Sequence, residues 1–248
     1  MQPKLKKFAS KLPHVGTTIF TVMSALAKEH GAINLSQGFP DFDCDPRLKD
    51  LVYKYMVSGH NQYAPMRGVD SLLEAIARKV QATYHKTLDP GTEITITSGA
   101  AEAIFTAVTT VVRPGDEVLV IDPAYDLYKP AIRINGGIPI VYPLRSPDFR
   151  INWERVEELV SDRTRLVMIN TPHNPIGKTL GKHDLEALSA LVDKHGLYLI
   201  SDEVYEHLVF DQLSHEGVLN YPSLYQRSFV VFSFGRHFMQ PDGGLVTA

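Results

Sequence analysis

Cysteine occurs once in the 248 residues, at Cys44. That scarcity excludes an intrachain disulfide and any cysteine-based metal site. An excess of charge of one sign is also missing. The formal net charge of −3 gives no basis for nucleic-acid binding, and the short Lys4, Lys6, Lys7 cluster reads as a solvated arm. No long apolar run follows that cluster, so it does not read as a secretory signal. No stretch approaches the roughly eighteen consecutive apolar residues of a membrane-spanning helix. Repeats, low-complexity segments and linkers are absent too. The expectation is a cytoplasmic chain with no membrane, nucleic-acid or metal partner.

What is present is a globular composition, 44% apolar, enough for a substantial core in one large or two smaller α/β domains. "TTIFTVMSALAKEHG" has Phe20, Met23 and Ala27 on one helical face and Gly31 as a stop. "INLSQGFPDFDCDP" is too rich in Gly, Pro and Asp for regular structure. "GVDSLLEAIARKVQATYH" predicts a helix burying Leu73, Ile76, Ala77, Val80 and Tyr84. From residue 93 strands alternate with helices. The strands are "EITITSG", "EVLVID", "IPIVYP", "RLVMIN", "LYLISDE" and "SFVVFS". The intervening helices are "AAEAIFTAVTTVV", the segment from Asp126 to Asn135, "WERVEELVS" and "HDLEALSALVDKHG". This order predicts an α/β fold with a mostly parallel sheet covered on both faces, a three-layer sandwich. Ligands gather outside the carboxyl ends of such strands, which singles out "TSGAAEA", "DPAYD", "NTPHNPIGK" and "SDEVYEH".

Each of these places carries two readings. Gly99-Ala100-Ala101 leaves backbone amides free at a helix N-terminus, a phosphate cradle, and is equally the pattern of a tight strand–helix turn. Asp202, ending an apolar strand, can hold a protonated ring nitrogen or a metal, or cap the next helix. Tyr205 stands three residues on and shares its side if the chain turns helical. Tyr125 offers a face for stacking on a flat ligand, or simply packs. The two prolines of "NTPHNPIGK" stiffen a loop, through a cis bond in one version. Its Asn174 can donate to a ligand oxygen or start a turn.

In that order the segments resemble the fold-type I aminotransferases that use pyridoxal 5′-phosphate. "LPHVGTTIFTVMSALA", "INLSQGFPDF", "NQYAPMRGV", "NTPHNPIGK" and "ISDEVYEHLVF" are similar to the branch containing methionine and kynurenine aminotransferases. The resemblance implies transfer of an amino group from methionine, an aromatic amino acid or kynurenine to a 2-oxo acid. It also implies that the amides of Gly99, Ala100 and Ala101 and the hydroxyl of Ser233 hold the cofactor phosphate. Tyr125 would stack on the pyridine ring, Asn174 and Tyr205 would bond its phenolic oxygen, and Asp202 would pair with its nitrogen. Tyr63 would reach the phosphate of a neighbouring subunit, making a homodimer, and Gly38 would lie with Asn174 beside the substrate carboxylate. The implied domains are an N-terminal segment 1–44, an incomplete cofactor-binding large domain 45–235 and an aberrant tail 236–248.

The departure from the family is at "SFGRHF". Ser233, Phe234 and Gly235 match, but Arg236 stands where the family has its Schiff-base lysine. A guanidinium stays protonated at working pH and is neither nucleophile nor base, so Arg236 is expected to be non-functional and the chain inactive. The following "HFMQPDGGLVTA" also leaves the pattern, and the family's C-terminal small domain is expected to be missing. Back-translating Gly235 to Ala248 and reading one base out of frame permits K-T-F-H-A-T-G-W-R-[VI]-G-Y, the family's own sequence. A single-base deletion in or beside the Gly235 codon accounts for all of this, and a poorly soluble or partly disordered chain would follow. The alternatives are a non-catalytic protein that still holds pyridoxal phosphate, and a C–S lyase of the same fold.

Overall fold

The computed structural model describes residues 9–36, 38 and 42–235, and the backbone of 243–247. The chain divides into two compact units, Met1–Phe42 and Asp43–Ala248. In the first, helix α1 (Ile19–Glu29) starts where the Thr18 side chain accepts from the Thr21 amide at 3.3 Å. It ends before Gly31, whose φ of +59° continues the chain in the left-handed region. Phe20 and Ala27 are half-buried as predicted, whereas Met23 is exposed and Ser24 takes its place on the sheltered side. Ser24 does so because Asn34 folds back and donates to its hydroxyl at 3.0 Å.

The second unit opens with α2 (Pro46–Val57), an element the sequence reading did not assign. Its start signal is nonetheless in the sequence: Asp45 accepts from the Arg47 amide at 2.8 Å and Pro46 occupies the first turn. Helix α3 (Asp70–Tyr84) buries Leu73, Ile76, Val80 and Tyr84, with Ala77 packed beside them. The remaining elements follow in order: β1 (Ile94–Ser98), α4 (Gly99–Val111), β2 (Glu117–Asp122), α5 (Tyr128–Ile134), β3 (Ile138–Pro143), α6 (Trp153–Glu157), β4 (Thr164–Asn170), α7 (Lys182–His195), β5 (Tyr198–Asp202), α8 (Pro222–Tyr225), β6 (Ser228–Ser233) and β7 (Gly243–Thr247). Helix α6 stops earlier than "WERVEELVS" predicts. Leu159 and Val160 donate to carbonyls three residues back, a tightening that turns the chain toward β4.

The seven strands lie in the order β1-β7-β6-β5-β4-β2-β3. Neighbouring pairs among β6, β5, β4, β2 and β3 are parallel, while β7 runs antiparallel to both β1 and β6. Residues 243–247, in the stretch read as an aberrant tail, thus supply a strand inside the sheet. Ladder hydrogen bonds are made by backbone groups, so that pairing does not require the family's side chains. Apolar side chains of α3, α7 and α8 pack on one face with Leu119, Val167, Leu199 and Val230. Those of α4 and α5 pack on the other with Val118, Val120, Met168 and Ile200. Both faces are therefore covered, in the three layers predicted from the alternation.

Candidate functional site

Ser98, Asp122, Asn170, Asp202 and Ser233 all end strands that run in the same direction. The polar groups singled out in the sequence accordingly collect at the carboxyl edge of the sheet. Asp202 stands at its centre, only 5% exposed and opposite Asn170 across the β4–β5 ladder. Its carboxylate accepts the Tyr128 hydroxyl at 2.5 Å and the Val204 amide at 3.3 Å. Its carbonyl accepts from the Asn170 side chain at 2.8 Å and the Thr171 amide at 3.0 Å. Burial, and then the charge of Asp202, push the Tyr128 phenol well above its ordinary pKa, so it remains a proton donor to the carboxylate. Sequence reasoning did not single out Tyr128. The available signal was its place three residues after Tyr125, on the same side of a helical turn.

Asn174 and Tyr205 meet beside this carboxylate. Both prolines of the loop after β4, Pro172 and Pro175, follow cis peptide bonds. The Asn170 side chain accepts the Asn174 amide at 2.7 Å, which leaves the Asn174 side-chain nitrogen 3.5 Å from the Tyr205 hydroxyl. Tyr205 is carried on a turn closed by the Glu206 amide on the Glu203 carbonyl at 3.0 Å. Asn174 and Tyr205 are half-exposed, so one ligand oxygen can meet both. Tyr125 is half-buried and lies edge-on to Tyr128, with ring centres 5.8 Å apart at 83°.

The start of α4 forms the other end of the site. Gly99 has a φ of +82°, and a Cβ built there would meet nothing within 4 Å. The backbone thus needs glycine at a point where the space above it is open. The Ser98 side chain makes no capping bond to α4, although Glu102 accepts the Ser98 amide. Among the described residues the N-cap side chain leaves the amides at the start of this 13-residue helix uncapped, an arrangement that suits an anion such as phosphate. Ser233 comes to the same end: it pairs with Gly244 while Ser98 pairs with Gly243, so β1 and β6 are separated by one strand, about 10 Å. Ala100, Tyr125 and Tyr205 pack against the same apolar cluster, which draws the three stretches together.

The fold thus gathers Gly99, Ala100, Ala101, Tyr125, Asn174, Asp202, Tyr205 and Ser233 at one edge. Gly38 is exposed in the N-terminal unit. Tyr63 is fully exposed between α2 and α3, and Arg236 lies outside the described residues. That edge presents helix-terminal amides and a hydroxyl that can donate to an anion, and a buried carboxylate that can accept from a cation. No described helix is long and apolar enough to cross a membrane.

Residues 30–243 match the family described as aminotransferase class I and II. The chain is 50% identical over 227 residues to the methionine aminotransferase of Escherichia coli K12, covering 92% of this chain and 59% of that protein. It is 33% identical over 243 residues to kynurenine–oxoglutarate transaminase 3 of Rattus norvegicus, covering 94% and 54% respectively. The solved structure of an Escherichia coli protein with methionine aminotransferase function superposes with a TM-score of 0.95 at 47% identity, over 98% of this chain and 64% of that one. N-succinyldiaminopimelate aminotransferase of Mycobacterium tuberculosis superposes at 0.91 and 37% identity, again over 98% and 64%. The chain therefore spans less than two-thirds of the length of these relatives.

Proposed function

The chain belongs to the class I and II aminotransferases, and on that premise we propose that it holds pyridoxal 5′-phosphate at the carboxyl edge of its sheet. The parent activity in this reading moves an amino group from methionine, an aromatic amino acid or kynurenine to a 2-oxo acid. The observation that carries it is Asp202, buried at the end of β5 and fixed by Tyr128 at 2.5 Å, with the Asn174–Tyr205 pair alongside. When bound, the cofactor supplies a ring that accepts the electron pair left when an amino acid loses its α-proton. The Asp202 carboxylate would keep the ring nitrogen protonated, because an opposite charge in a buried site favours the charged form. Asn174 and Tyr205 would donate to the phenolic oxygen, and Tyr125 would lie against the ring. The amides of Gly99–Ala101 and the Ser233 hydroxyl would hold the phosphate.

Proton transfer at the substrate carbon needs a base, and Arg236 cannot serve as one. The chain as written therefore binds cofactor without turning substrate over. A homodimer, with exposed Tyr63 reaching toward a second copy, and a cytoplasmic setting belong to the same reading. Pyridoxamine 5′-phosphate has no aldehyde to react with surface lysines, which makes it the cleaner probe. Titration should saturate at one site per chain, and Asp202→Asn should weaken binding about tenfold, the equivalent of one lost unit of charge-driven protonation. Methionine-dependent formation of a 2-oxo acid should be undetectable. Binding that does not saturate, or that Asp202→Asn leaves unchanged, overturns the cofactor reading. Turnover by the unaltered chain overturns the inactivity.

A further inference from the structure

Behind the turn that carries Tyr205 lies a set of buried charged groups that the cofactor reading leaves unused. Glu203 and Glu206 are both buried. The Glu203 carboxylate accepts the Ser201 hydroxyl at 2.8 Å and the Val218 amide at 3.0 Å, and lies 2.8 Å from His215 Nε2. The Glu206 carboxylate is held by Lys79 and by the hydroxyl of Tyr84, both on α3. Lys79 also sits over the Phe232 ring, 5.3 Å from its centre. Gly217 lets the next segment close over this set: a Cβ there would fall 2.5 Å from Tyr84 and 3.0 Å from Glu203.

Side chains of this short turn divide between the two faces of the sheet. Val204 and Tyr205 join the cluster packed by α4 and α5, and Asp202 bonds Tyr128 on the same face. Glu206 points the other way, to α3. Burying carboxylates carries a desolvation cost, so such groups are weak evidence for stability as an end in itself. What they do fix is position, since each bonded oxygen restricts where the backbone can sit.

We propose that Glu206, clamped by Lys79 and Tyr84, is a positioning residue for Tyr205. The clamp sets the neighbouring residue's backbone, and so holds the Tyr205 phenol within reach of Asn174 and of a shared ligand oxygen. Glu203 anchors the other end of the same turn. This role rests on the cofactor reading, because Tyr205 is positioned for the cofactor's phenolic oxygen.

Equilibrium dialysis with pyridoxamine 5′-phosphate tests it in four proteins: wild type, Glu206→Gln, Tyr205→Phe and the double variant, with unfolding midpoints recorded for each. Glu206→Gln is expected to weaken binding on the order of fivefold to tenfold in the wild-type background, and by less than about twofold when Tyr205 is already Phe. Tyr84→Phe, which keeps the ring and removes only the hydroxyl, should behave in the same way and decides the matter if Glu206→Gln does not fold. Saturable wild-type binding that neither clamp variant alters overturns the positioning role alone. So does an equal loss in both Tyr205 backgrounds, which is the mark of a merely structural group. Absence of saturable wild-type binding overturns the cofactor reading, and this role with it.

Discussion

The bond between Tyr128 and Asp202 joins residues 74 positions apart and places a neutral donor on a buried carboxylate. Hydrogen bonds to charged groups contribute roughly 1.5–3 kcal/mol. Tyr128→Phe is therefore expected to lower unfolding stability by about 2 kcal/mol in urea titrations, and to weaken pyridoxamine 5′-phosphate binding. Tyr84 gives a second test. Burial first, then Glu203 and Glu206, raise its pKa far above the ordinary tyrosine value, and Tyr128 is raised for the same kinds of reason. Above about pH 10 the unfolded chain loses these phenolic protons while the folded chain keeps them. Stability, complete below that pH, should then fall by about 1.4 kcal/mol per pH unit for each tyrosine. Urea unfolding from about pH 9 to about pH 11 should show a shallower decline in Tyr84→Phe than in wild type. Asp202 was legible in the sequence because a carboxylate ending an apolar strand is a local pattern. Tyr128 was not, because only the strand order brings α5 over β5.

Helices and strands were legible wherever their signals were local. The apolar period of α3 and α7, and the alternation from residue 93, came through with ends displaced by one or two residues, except at α6, which stops four residues early. Helix α2 was not assigned from the sequence, and in the fold its Leu51, Val52, Met56 and Val57 are exposed. The Asp45-Pro46 start was the usable cue. At the start of α4 the decisive feature is conformational. Gly99→Ala would place a Cβ at φ +82°, where an L-residue meets a penalty of about 1–2 kcal/mol. It would also fill the open space over the amides. Loss of stability of that order together with weaker pyridoxamine 5′-phosphate binding is the expected result. A fully stable variant with unchanged binding would show that this turn is not the phosphate site.

Across the whole molecule the sheet depends on its last strand. β1 is joined to the other strands through β7 alone in the observed order, and β6 pairs with β7 along Val230–Ser233. Deleting residues 236–248 should detach β1, bare one edge of β6 and expose backbone groups that promote self-association. Urea unfolding of that shortened chain should be broad or preceded by aggregation, while the 248-residue chain should unfold in a sharper transition. A sharp transition in both would mean that β7 adds little. The DNA across codons 234–238 bears on the same tail, since codons unable to spell the lysine frame would remove the frameshift account of Arg236.

The sequence by itself determined the α/β class, the covered, mostly parallel sheet and the strand ends where polar residues collect. Apolar periodicity and turn chemistry act over a few residues, so they can be read in one dimension. Tertiary structure alone decided which of those ends meet. Tyr128 reaches Asp202, and Lys79 reaches Glu206 across 127 positions, because the strand order stacks distant segments side by side. A buried charge must then take its partner from whatever that stacking provides.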